Sequence, residues 1–93
     1  MTLGEMATLP RAEFKAASVS DNTNSFGLRG VILMARDGEA FEVGITSQFA
    51  PKKGDLVRVP YDEGGYVWGY VHVEIPRCLG KAPKGVVAEV WAA

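Results

Sequence analysis

The sequence predicts a mainly β fold, and three observations carry that prediction. The 11 glycines and 5 prolines are scattered as punctuation between short β-prone segments. Residues 66–74 alternate aromatic or polar positions with valine or glycine, the period-two signature of a strand. Asp37-Gly38, between two apolar segments, is a favoured hairpin dipeptide. Five or six short strands in 93 residues point to a small antiparallel, partly closed barrel of the OB or SH3-like kind, because closure deals with sheet edges that would otherwise stay open. No linker or repeat divides the chain, so residues 1–93 read as a single β-barrel domain.

Taken in order, residues 11–20 suit a first strand, although Thr8-Leu9-Pro10 would also cap a short helix with Pro10 in its first turn. The reading of residues 3–20 as strand or helix stays open, with the strand favoured. Residues 21–24 form a polar loop. In residues 28–46 a two-residue type I′ turn at Asp37-Gly38 pairs Arg36 with Glu39. That register puts Leu28, Gly30, Ile32 and Met34 on the core face with Phe41, Val43 and Ile45, and Val31, Leu33 and Ala35 on the other face. Residues 47–54 connect to a second hairpin, formed by residues 55–60 and 66–74 around Asp62-Glu63-Gly64-Gly65. Which face of 66–74 is buried depends on loop parity. A four-residue loop aligns Val57 and Val59 with the aromatic side and makes it core. A five-residue loop aligns them with the valine side and sets Arg58 opposite Trp68 on the outside. Residues 76–85 read as a basic loop, and residues 86–92 as a closing strand or a helix.

Composition narrows the function. A net charge of −1 argues against indiscriminate polyanion binding, and the longest apolar run, residues 31–35, is far short of a membrane span. The expected setting is the cytoplasm. One cysteine, Cys78, excludes an intrachain disulfide, and with one histidine, His72, it excludes the usual structural zinc sites. The Cys78–His72 pair lacks an orienting third group, Asp62-Glu63 sits in a solvated hairpin tip, and the glycine-lysine stretch at 80–85 lacks phosphate-loop spacing. No enzyme, metal or cofactor is expected.

Binding features are more numerous. Arg77, Lys81 and Lys84 give residues 76–85 a local charge of +3, and Lys52-Lys53 adds a second basic tip. Tyr66, Trp68 and Tyr70 share one strand face, with Arg58 placed to stack on Trp68 in one register. Flat rings beside cationic loops suit unpaired nucleobases and their phosphates. The same rings equally suit a core or a protein interface, and the same lysines a merely soluble loop.

The polar loop, the hairpin at 27–45, the Lys53-Gly-Asp-Leu-Val-Arg-Val-Pro-Tyr61 strand and the glycine-tipped aromatic hairpin follow one another in an order that resembles the single-stranded-DNA-binding proteins of filamentous bacteriophages. This resemblance implies a small OB-like homodimer that coats displaced strands. The chain departs from that layout in having no lysine or arginine at 21–24 and in its tail at 86–93. The expected function is therefore non-enzymatic binding of single-stranded nucleic acid by a dimeric β-barrel. Its contacts would be Arg58, Tyr66, Trp68, Tyr70, Lys52, Lys53, Arg77, Lys81 and Lys84. The alternative is a protein-binding or self-assembly module of a phage or mobile-element complex, with the aromatic face and the outer Val31 and Leu33 as its interface.

Overall fold

A computed structural model describes residues 1–72, 75–82 and 89–91. The chain runs α1 (Leu3–Thr8), β1 (Arg11–Thr23), β2 (Leu28–Met34), β3 (Ala40–Thr46), a 3-10 turn (Ser47–Phe49), β4 (Leu56–Pro60), β5 (Tyr66–His72), β6 (Ile75–Lys81) and β7 (Glu89–Trp91). One antiparallel sheet has the order β3-β2-β1-β4, with β7 also pairing to β1. It curls into a half-barrel, and the two-stranded ribbon β5-β6 packs against β3, so the expected small, partly closed β-barrel is what forms. Gly80 allows that close packing, since a Cβ there would stand 3.0 Å from Val43 and 3.2 Å from the Glu42 carbonyl oxygen.

Residues 3–20 divide between the two forms that the sequence offered. Thr2 and Glu5 make a capping box, with the Thr2 hydroxyl accepting from the Glu5 amide at 3.1 Å and the Glu5 carboxylate accepting from the Thr2 amide at 3.2 Å. Hydrogen bonding from the Thr2 hydroxyl and the Thr2 amide holds the Glu5 carboxyl below its ordinary range. The helix stops before Leu9-Pro10, so Pro10 follows it instead of opening it, and β1 begins at Arg11.

The core is the concave face of the sheet. Strand alternation buries Ala12, Phe14 and Ala16 of β1, and Val31 and Leu33 of β2 with Ala35 just beyond it. Phe41, Val43 and Ile45 of β3 join them. Val59, Val67, Leu79 and Ala82 complete the cluster, and Phe14 meets Phe41 edge to face at 5.1 Å. This reverses the face predicted for β2. Val31 and Leu33 are inside opposite Val43 and Phe41, while Leu28, Gly30, Ile32 and Met34 are only half-buried. The cause is one residue of loop. Ala35 pairs with Glu39 around a three-residue loop in which Gly38 alone takes positive φ, whereas a type I′ turn needs it at Asp37 as well. A one-residue slip exchanges the two faces of a strand.

The same three-residue loop recurs at Asn24–Leu28 and Asp62–Tyr66, closed by Gly27 and Gly65 at positive φ. At the second of these tips Tyr61 pairs with Val67. The parity is thus that of the five-residue alternative, reached with a shorter loop: Val67 is 0% exposed in the core and the rings face outward. The second hairpin does not continue from its tip, because β4 pairs along its length with β1 and β5 with β6. Tyr61 donates to Pro10, and Ala16 donates to Asp55. By alternation, the backbone groups of Leu56, Arg58 and Pro60 face away from β1, toward β5. Pro60 has no N–H to give there, so the β4–β5 ladder fails and a seam stays open in the barrel wall.

Of the expected loop at 76–85, residues 76–81 belong instead to β6 (Ile75–Lys81), and residues 83–85 lie outside the described residues. Of residues 86–92, Glu89–Trp91 form the closing strand, and the remainder lie outside the described residues.

Candidate functional site

The open seam is an apolar cleft of about 360 Å³. Buried Ile45, Val59 and Leu79 form its floor, and Phe49, Pro51, Arg58, Trp68 and Tyr70 stand around it. β5 places Trp68 and Tyr70 two residues apart on one face, and the 3-10 turn after β3 brings the Phe49 ring to 6.0 Å from that of Tyr70. The Thr46 hydroxyl donates to the Tyr70 carbonyl at 3.0 Å and ties that part of β5 to the sheet. Lys52 and Lys53, both exposed, follow Pro51 directly.

Tyr66, two residues before Trp68 on the same strand face, is 41% exposed, and the Lys81 ammonium lies 5.3 Å from its ring centroid. The cross-strand register that opposes Tyr66 to Lys81 accounts for the contact. Trp68 is half-buried, and its Nε1–H donates to Asp62 Oδ2 at 3.0 Å.

Seven of the nine residues singled out in the sequence therefore sit at or beside one continuous strip: Arg58, Trp68 and Tyr70 in the cleft, Lys52 and Lys53 at its border, and Tyr66 and Lys81 at its end. Within that group Arg58 is engaged with Glu13, its Nε 3.3 Å from Glu13 Oε2. Arg77 is elsewhere. Half-buried, it donates from Nη1 to the Gly44 carbonyl at 2.8 Å and locks β6 onto β3. Its predicted place in a basic loop fails because Ile75–Lys81 is a strand. Lys84 lies outside the described residues.

Phe49 and Pro51 were not singled out in the sequence, where they read only as connection. Asp62 was read as solvated, yet it is half-buried and accepts three hydrogen bonds, from the Gly64 and Tyr66 amides at 2.9 and 3.0 Å and from Trp68. The signal available was an aspartate three residues ahead of a closing turn glycine, with a tryptophan three residues beyond that glycine. His72 pairs with Ile75 and Cys78 with Trp68, which separates the two along the ribbon by four residues, roughly 13 Å.

No protein-family model matches the chain, and no curated protein and no solved structure does so either. Among the described residues no helix is long and apolar enough to cross a membrane.

Proposed function

We propose that the protein binds unpaired nucleic acid without enzymatic action, with bases stacked along Phe49, Tyr70, Trp68 and Tyr66 and phosphates met by Lys52, Lys53 and Lys81. The observation that carries this reading is the outward parity of β5. It leaves three aromatic side chains on an accessible strip whose two ends carry exposed lysines. Stacking accepts any base and the lysines follow the backbone, so the expected binding is tolerant of sequence and sensitive to salt. The resemblance to filamentous-phage strand-coating proteins supports the same reading and adds the homodimer to the proposal.

A second reading, a protein-binding or self-assembly surface, is favoured by Leu56, which is 67% exposed where β4 pairs with Lys15 of β1. Val31 and Leu33 do not belong to that surface, because both are 0% exposed in the core.

Titration of tryptophan fluorescence with a short oligothymidylate, at low and then moderate salt, separates the two readings. Nucleic-acid binding gives quenching that weakens steeply with salt, whereas a flat trace leaves assembly standing. Trp68→Ala should remove about 1–3 kcal/mol of binding while thermal unfolding remains cooperative.

A further inference from the structure

Three hairpin tips share one backbone geometry, and two of them share a side-chain device. Asn24 Oδ1 accepts from the amides of Phe26 and Leu28 at 2.8 and 3.0 Å. Asp62 Oδ1 accepts from the equivalent amides, those of Gly64 and Tyr66. One oxygen at this position is therefore enough to hold the turn, and an amide side chain supplies it. The second carboxylate oxygen of Asp62 is surplus to the turn, and it receives the Trp68 indole N–H.

An indole N–H can only donate, and when half-buried it needs an acceptor to hold the ring in one orientation. Asp62 supplies that acceptor from a turn that is itself fixed, so the edge of the ring carrying Nε1 is held at the tip while the ring borders the cleft. We propose that Asp62 is a positioning residue for the stacking surface: it sets the plane in which Trp68 meets a base. This inference rests on the nucleic-acid reading and deepens it. A pre-set ring loses little freedom when a base stacks on it, and a ring free to turn loses more.

Asp62→Asn separates the two jobs, because the Asn24 turn shows that an amide oxygen supports this geometry while an amide nitrogen cannot accept from an indole. The substitution also removes a negative charge, which alone would strengthen binding of a polyanion. The test is therefore a double-mutant cycle with Trp68→Phe, read by oligothymidylate affinity at one salt concentration and by hydrogen exchange of the indole N–H without nucleic acid. In Asp62→Asn the Gly64 and Tyr66 amides should stay protected and the Trp68 indole should exchange faster. Affinity should fall by about threefold to tenfold relative to the effect of the same substitution in the Trp68→Phe background. An additive cycle, or an indole that keeps its protection, overturns the positioning role while leaving the nucleic-acid reading in place. Wild-type protein that binds no oligonucleotide overturns both, and the exchange measurement then shows whether the contact itself exists in solution.

Discussion

The Asn24 and Asp62 turns are near copies in backbone and in capping, and they present their aromatic residues in opposite ways. At the first, Phe26 lies within the loop, 84% exposed. At the second, the aromatic residues lie on the strand that follows, and Trp68 is hydrogen-bonded back to the capping side chain. The two hairpins differ at two places: the position six residues after the cap is Gly30 in the first and Trp68 in the second, and the cap's spare atom is an amide nitrogen in Asn24 and a carboxylate oxygen in Asp62. The turn chemistry fixes where the chain reverses. The leftover carboxylate oxygen of Asp62 tethers a ring because the strand that follows supplies one at Trp68.

The largest expected effect tests whether the tether adds to stability. Asp62→Ala removes three hydrogen bonds and should cost about 2–3 kcal/mol, and Asn24→Ala removes two and should cost about 1–2 kcal/mol, both read from urea unfolding midpoints. Equal losses would mean that the indole bond contributes nothing to the fold. The next pair asks whether the two backbones are as alike as their hydrogen bonds: Gly27→Ala and Gly65→Ala should each cost about 1–2 kcal/mol, since both residues hold positive φ. A clear gap between them would break the equivalence of the turns. Smallest of all, Phe26→Ala should change stability by no more than about 0.5 kcal/mol, because its ring rests on so little. A larger loss would show that Phe26 is held as Trp68 is.

The fold class was legible because glycine spacing and alternation report local preference directly, and β2, β3 and β5 stand where those signals put them, while β1 runs on to Thr23 through residues read as a polar loop. Register was not. Asp37-Gly38 signals a turn without stating its length, and Ala35–Glu39 closes one residue wider than the dipeptide suggests. That single residue moved Val31 and Leu33 from the outer face to the core. At the candidate site, the aromatic face was visible as alternation and the basic residues as composition. The side-chain ties of Arg58, Arg77 and Asp62 were not, because each joins residues distant in sequence or depends on where one oxygen points. Ile75–Lys81 escaped notice as a strand since Pro76 and Gly80 read as breakers, while in the structure they occupy a short ribbon with register shifts at Val67/Trp68 and Tyr70/His72.

Pro60 has an effect beyond leaving the wall unsealed. An edge strand with all its amide protons is a template on which another polypeptide can crystallise into the sheet, strand upon strand. On the outer edge of β4, Pro60 brings no N–H, so an incoming chain finds an interrupted ladder. A guest that sticks by its flat faces and its charges needs no such ladder. The residue that keeps the slot open therefore also makes this edge a poor template for strand-upon-strand growth.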